Sequence, residues 1–265
     1  MAEFTDRVAI VTGSSSGIGE AIAKSLGALG ATVVVNSATS VEAGQRVAAE
    51  IGANASYFQA DIADKAAGER LIDDTIARFG RLDILINNAG WTTLVDHRNL
   101  DALTDEIFAK TFDVNVTGTW MLTKYALEHL KKSDAGNVVT ITSIAGVRPV
   151  GSSIAYAMSK AALNHMTQLL AKSHSPVRFN AVAPGLVETP WTKDWQNQHD
   201  GVRAIAPLHR SATPQDCAEA TLALLRNTYA TGQILVVDGG LTLADRKSTR
   251  LNSSHTDISR MPSSA

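Results

Sequence analysis

The sequence predicts an α/β protein: one doubly wound parallel sheet of about seven strands, flanked by helices on both faces. Two observations carry that expectation. Short, wholly apolar runs recur from Val8-Ala9-Ile10-Val11 onward, and continuous runs of this kind mark strands buried on both faces. Between them lie longer stretches whose apolar residues fall at helical spacing, such as Ile18, Ala21, Ile22, Leu26 and Leu29. Strands alternating with amphipathic helices build parallel sheets, because each helix carries the chain back to the starting end.

In chain order, a strand at 8–11 leads through a Gly-rich turn into a helix closed by Gly30. The next strand is Thr32-Val33-Val34-Val35, followed by a helix (41–51), strand (56–59), helix (65–79) and strand (83–86). A long helical region is expected over 104–131, then a strand at 137–142, a helix at 155–172 and a strand at 177–182. A helix at 214–226 precedes the final strand, Gln233-Ile234-Leu235-Val236-Val237. No internal repeat and no linker interrupts residues 1–244, which are read as a single domain.

Composition narrows the function classes. An apolar fraction of 45% and a charged fraction of 19% are those of an ordinary soluble globular protein. A net charge of -2 makes no electrostatic case for nucleic acid or an anionic membrane. Cys217 is the only cysteine, so neither a disulfide framework nor a Cys-based metal site is expected. None of the seven histidines forms a metal-ligand set, and no metal is expected. The start has no signal-peptide pattern, and no apolar run approaches the roughly eighteen residues of a membrane span. The expectation is a reduced, cytoplasmic protein acting on a small molecule.

The first turn reads Thr12-Gly13-Ser14-Ser15-Ser16-Gly17-Ile18-Gly19. Glycines let backbone approach a diphosphate, and the following helix offers free N–H groups and the positive end of its dipole. The spacing is Gly-x-x-x-Gly-x-Gly, not the Gly-x-Gly-x-x-Gly of the commonest dinucleotide fingerprint.

Tyr156 and Lys160 lie four residues apart, on one helical face about one turn from each other. A cation within about 4–6 Å of a phenol favours the phenolate, so the pair is expected to donate and accept a proton near neutral pH. Ser143 falls at the C-terminal end of a strand, where α/β sheets place their ligands. A hydroxyl, a tunable phenol and a fixed cation facing one crevice can polarise a carbonyl and hand it a proton. Taken alone, Tyr-x-x-x-Lys describes a core-edge Tyr and a solvated Lys equally well.

Several motifs together resemble the short-chain dehydrogenase/reductase family over about residues 5–243. They are the Thr12–Gly19 turn, Asn87-Asn88-Ala89-Gly90, Asn115 in Phe112-Asp113-Val114-Asn115, Ser143, and Tyr156-Ala157-Met158-Ser159-Lys160. Pro184-Gly185 and Val237-Asp238-Gly239-Gly240 complete the set. The resemblance implies a Rossmann-type fold and an NAD(P)-dependent oxidoreductase interconverting a ketone and a secondary alcohol. The substrate classes it leaves open include 3-oxoacyl thioesters, sugars and steroid-like rings. The alternative kept beside it is a catalytically idle dinucleotide-binding sensor or regulator.

Position by position, the resemblance implies that Tyr156 is the general acid in reduction and the base in oxidation. Lys160 would lower the Tyr156 pKa and hold the nicotinamide ribose, and Ser143 would hydrogen-bond the substrate oxygen. Asn115 would hold a water linking Lys160 to solvent; a mid-helix Asn also reads as a plain kink. Gly13, Ser15, Ser16, Gly17, Ile18 and Gly19 would cradle the diphosphate, and Asn88, Ala89 and Gly90 would flank the adenosine ribose. Asp61 and Ile62 would lie beside adenine, although Asp61 reads equally as a helix N-cap. Pro184, Gly185, Val187 and Thr189 would border the nicotinamide carboxamide.

Ser37 stands where NAD-preferring relatives carry an acidic residue, and no carboxylate follows before Glu42. Ser16 stands where many NADP-preferring members carry Arg or Lys. The missing carboxylate bears directly on rejecting a 2′-phosphate, so NADP is expected over NAD. A substrate lid is expected over about 186–213, with Trp191 and Trp195 on one helical face as wall or subunit contact. Val147, Val150 and Trp91 are placed at the same cleft by position. The helices at about 107–131 and 155–172 match the family's dimer faces, implying a homotetramer or homodimer. Residues 245–265, rich in Ser and Arg without period, resemble the translation of a sequencing-library adaptor; they are read as a non-native, disordered tail.

Overall fold

A computed structural model describes residues 3–244, and the expectations for 245–265 lie outside the described residues. Seven strands form one sheet: β1 (Val8–Val11), β2 (Thr32–Ser37), β3 (Ala55–Gln59), β4 (Ile84–Asn87), β5 (Asn137–Ile141), β6 (Arg178–Pro184) and β7 (Ile234–Val237). Their order is β3-β2-β1-β4-β5-β6-β7, and every pairing is parallel. The chain winds outward one way from β1 and then the other way from β4. A crevice therefore opens beyond the strand ends between β1 and β4, the topological switch point where such sheets hold ligands.

Alternation along each strand divides the core in two. Ala9, Val11, Val33, Val35, Ile84 and Ile86 face one layer. That layer contains α1 (Gly17–Ala28), α2 (Val41–Ile51) and α8 (Pro214–Arg226). Ile10, Val34, Leu85, Val138 and Phe179 face the other. It contains α3 (Lys65–Phe79), α5 (Thr119–Lys132) and α6 (Ile154–Ser173). Both faces are buried, which is why the strands read as apolar runs without polar alternation.

The helical region expected over 104–131 is three pieces. After α4 (Asp105–Phe112) comes a π-helical turn, Asp113–Gly118, and then α5. The expected lid segment contains a helix that its polar sequence does not announce, α7 (Gln196–Ile205). Trp191 precedes α7 and Trp195 is its N-cap, so the two do not share a helical face. Among the described residues, no helix is long and apolar enough to cross a membrane.

One buried charge anchors the opposite end of the sheet. The Asp83 side chain is fully buried and accepts from the Val8 N–H (2.9 Å), Arg81 (2.7 and 2.8 Å) and Ser133 Oγ (2.5 Å). Burial alone would raise its pKa, but these donors hold it below the ordinary carboxylate value. Asp83→Ala is expected to cost on the order of 3 kcal/mol in urea unfolding. The wild-type contribution is present above the ordinary Asp pKa and disappears as pH falls through the depressed one. A variant as stable as wild type at neutral pH would refute this anchoring role.

Candidate active site

The Gly-rich turn is held rigidly by its neighbours. Asn88 Nδ2 donates to the carbonyls of Thr12 (2.9 Å) and Gly13 (3.0 Å), while Thr12 Oγ1 accepts from the N–H groups of Asn88 and Ala89, each at 3.0 Å. From the other side, Asn36 Oδ1 meets the Gly13 N–H at 3.4 Å and its Nδ2 donates to Phe58 and Ala60. Gly13 has φ +60°, and a Cβ there would lie 2.9 Å from Ala89 Cα. A Cβ on Gly19 would lie 2.5 Å from Asn88 Nδ2 and from the Gly13 carbonyl. The α1 N-cap, Ser16, makes no side-chain cap bond, leaving first-turn N–H groups for an anion. On Gly17, a Cβ would reach within 3.3 Å of Thr189 across the crevice. These features fit a dinucleotide diphosphate lying between the turn and the segment after β6.

Ser143 follows β5 in extended backbone and caps a 3₁₀ turn, Ile144–Gly146, by accepting from the Ala145 N–H at 3.1 Å. Tyr156 and Lys160 occupy the first turns of α6, whose N-cap Ser153 accepts from the Tyr156 N–H at 3.1 Å. The Ser143 hydroxyl lies near enough to the Tyr156 phenol to act on its pKa. Lys160 is buried, lies 5.5 Å from the Tyr156 ring centre, and donates to the Ile141 carbonyl at 3.0 Å. Gly146 permits this approach of loop to helix, since a Cβ there would meet Lys160 backbone at 2.6 Å.

Burial pushes Tyr156 up to about 12 despite the opposing effect of the Ser143 hydroxyl. Burial also pushes Lys160 down to about 8. This corrects the expectation that Lys160 draws the phenol pKa down. Its ammonium is not among the groups that shift Tyr156, and desolvation dominates. At neutral pH the side chain is a phenol, poised as a proton donor.

Asn115 sits inside the π-helical turn, fully buried. Its Oδ1 accepts from the Trp91 N–H at 2.7 Å, and its Nδ2 donates to the Trp91 carbonyl and Ser159 Oγ, each at 3.0 Å. Both amide hydrogens are thus committed to protein partners, and Oδ1 retains one acceptor site. A Cβ on Gly90 would touch Asn115 Oδ1 at 3.3 Å and Lys160 Nζ at 3.6 Å, so Gly90 lies between them. The mid-helix kink and the contact with the site are one feature, because π turns arise where a side chain bonds out of register.

All these groups open on one cleft of about 1360 Å³. Its walls contain Gly13, Ser15, Ser16, Gly17 and Ile18 at one end, with Ser37, Asp61 and Ile62 beyond. Asn88, Ala89, Gly90, Ser143, Tyr156 and Lys160 form the middle, and Pro184, Gly185, Val187 and Thr189 the facing side. Gly19 and Asn115 lie behind this lining, the first supporting the turn and the second the floor.

Comparison with known proteins follows the same residues. The family model described as enoyl-(acyl carrier protein) reductase matches residues 13–242. The chain is 50% identical over 240 residues to a Streptomyces violaceoruber protein named as ketoacyl reductase 2 of the granaticin polyketide synthase, covering 89% of this chain and 96% of that one. It is 36% identical over 253 residues to a 3-oxoacyl-[acyl-carrier-protein] reductase of Synechocystis, covering 92% and 100%. This chain belongs to the short-chain dehydrogenase/reductase family. A 3-ketoacyl-(acyl-carrier-protein) reductase of Brucella melitensis, crystallised with NADH, superposes with a TM-score of 0.84 at 31% identity, covering 90% and 99%. The protein is therefore an NAD(P)-dependent oxidoreductase of the ketone–alcohol type.

Other placements in this oxidoreductase depart from the sequence reading. The α3 N-cap is Asp64, which accepts from the N–H groups of Ala66 and Ala67; Asp61 instead closes a short turn onto the Ala63 N–H at 2.9 Å. Trp91, Val150, Trp191 and Trp195 line the cleft, whereas Val147 is exposed and not part of its lining. Ser37 is buried with its hydroxyl 2.9 Å from Tyr57 OH. Three residues at the site carried no legible signal. Ser159 braces Asn115, while Lys110 and Arg148 reach the cleft wall from α4 and the loop after Ser143. Isolated charges of that kind read as solvated surface until the fold brings them together.

Proposed function

We propose that this enzyme reduces the keto group of an acyl or polyketide-type substrate to a secondary alcohol, with Tyr156 as proton donor. The observation that carries the reading is the convergence of Ser143, Tyr156 and buried Lys160 on one cleft, with Lys160 beside the Tyr156 ring. Two hydroxyl donors converging there suit the single oxygen of a carbonyl. A dihydronicotinamide dinucleotide, held between the Gly13–Gly19 turn and the Pro184–Thr189 segment, would supply the hydride for the carbonyl carbon. Tyr156 gives its proton to the carbonyl oxygen as that oxygen becomes an alkoxide, a stronger base than a phenolate. The Ser143 hydroxyl stabilises the phenolate left behind, and Lys160, with Asn115 as its positioning residue, passes on the replacement proton. The names of the Streptomyces and Synechocystis relatives support a ketoacyl substrate. A protonated phenol at neutral pH is the form that donates in reduction. The test is cofactor oxidation over a panel of 3-oxoacyl thioesters and cyclic ketones. No oxidation above background with either cofactor would refute the reading.

NADP is the inferred partner. Ser37, Thr39 and Ser40 bring hydroxyls to the adenosine end, and no carboxylate from β2 opposes a 2′-phosphate. The wild type is expected to show higher kcat/KM with NADPH than with NADH. Ser37→Asp should move that ratio toward NADH by at least about tenfold through repulsion of the phosphate. A tenfold wild-type preference for NADH would overturn the assignment.

Three further readings complete the proposal. Segment 186–213 acts as the substrate lid, with its two ends joined by the Val187–Ala212 bridge. Inside it, His199 ties Ser211 Oγ (2.7 Å) to the Thr192 carbonyl (3.2 Å). Assembly into a homodimer or homotetramer runs through α5 and α6, which present Trp120, Met158 and Leu169 to solvent. The buried, unpaired thiol of Cys217 accords with a reduced cytoplasmic setting.

A further inference from the structure

The substrate half of the cleft has a charge pattern that hydride transfer does not require. Four charged side chains line the whole cleft: Asp61, Lys110, Arg148 and Lys160. Asp61 lies past β3 at the adenosine end and Lys160 is on the catalytic floor. Lys110 and Arg148 are therefore the only charges on the outer substrate walls among the described residues, and both are cations.

Neither cation is neutralised. Among the described residues, the side chains of Lys110 and Arg148 make no hydrogen bond and no ion pair. Glu106 on α4 and Asp113 at the start of the π-helical turn make no ion pair with Lys110. Lys110 Nζ instead lies 4.6 Å from the centre of the Trp91 ring. The Trp91 backbone is pinned through both its N–H and its carbonyl to Asn115. The cation is thus held in register with the catalytic floor, even though its head remains in solvent. Trp191 and Trp195 add aromatic surface to the same wall. On a protein of net charge -2, two exposed, unpaired cations on the walls of one cleft make a local field that attracts anions.

We propose that Lys110 and Arg148 form an anion subsite that reads a carboxylate or phosphate carried by the ketone substrate, away from the reacting carbonyl. The proposal rests on the ketone-reductase reading and names the chemistry of the substrate's far end. Its apolar body lies against Trp91, Trp191 and Trp195, and its charge meets the two cations. A carboxylate belongs to a free keto acid, and a phosphate to a phosphopantetheine arm; both present oxygens that an ammonium and a guanidinium hydrogen-bond.

The test compares wild type with Lys110→Gln/Arg148→Gln on matched substrate pairs at low ionic strength. One pair is an aryl keto acid and its methyl ester. The other is a 3-oxoacyl thioester on phosphopantetheine and the same acyl group on N-acetylcysteamine. Wild type should favour the anionic member of at least one pair by about fivefold to tenfold in kcat/KM, chiefly through KM, with the advantage shrinking as salt rises. The favoured pair tells carboxylate from phosphate. The double variant should lose that advantage while kinetics on the neutral members stay within about twofold of wild type. An advantage that survives in the double variant, or no advantage in either pair, overturns the proposal. Tryptophan fluorescence titration with phosphopantetheine and with the keto acid, at saturating oxidised cofactor, gives a readout independent of turnover. Quenching by either anion that weakens in the double variant supports the subsite even if no ketone is reduced. That last result would refute the reductase reading alone.

Discussion

Tyr156→Phe is expected to lower kcat for ketone reduction by about a thousandfold while leaving KM and cofactor affinity within about twofold. The change removes one oxygen and retains the ring that packs in the crevice beside Lys160. What is lost is the proton for the developing alkoxide and the hydroxyl beside Ser143. Steady-state kinetics on the best ketone of the panel, with a separate cofactor titration, checks the split between kcat and binding. A variant that keeps kcat near wild type would remove Tyr156 from proton transfer, whatever became of the fold.

The sheet was legible because its strands are buried on both faces. Runs such as Val33-Val34-Val35 offer no polar position to water, and only a covered parallel sheet takes them. Helices α2, α3 and α8 appear at the predicted residues because each has an apolar stripe facing the sheet. Helix α7 was not legible. Gln196, Asn197, Gln198 and Asp200 are exposed and Gly201 interrupts them, so little local preference favours a helix. It is held by Val202 and by His199, which reaches Ser211 and the Thr192 carbonyl. The π turn was equally hidden, since it depends on Asn115 capturing the backbone of Trp91, which is distant in sequence. The candidate site residues were readable from the motifs and the family those motifs resemble. Their pKa values were not, because spacing places Lys160 near Tyr156 but says nothing of how far each is removed from water.

Lys160→Met is expected to move activity and stability in opposite directions. Lys160 is buried and has one hydrogen bond, to the Ile141 carbonyl, with no carboxylate partner among the described residues. Its folded pKa of about 8, against an ordinary 10.5, records the free energy of keeping an ammonium there. That difference corresponds to roughly 3 kcal/mol against the folded state while the group is charged. The sign follows from proton counts. Between pH 8 and 10.5 the unfolded chain holds the lysine proton and the folded one has released it, so wild-type stability rises across that window. Below the window both states are protonated and the full penalty applies. Methionine carries no charge, so the variant should be more stable than wild type at neutral pH, and its margin should narrow as pH climbs from 8 toward 10.5. Ketone reduction should fall by about a hundredfold or more, because the proton path loses its carrier. Urea unfolding of both proteins across that pH range, beside kcat, checks both halves. If the methionine protein is less stable by the same amount at every pH, Lys160 is an ordinary packing residue. If instead stability rises as activity falls, the ammonium is retained for chemistry at the expense of the fold.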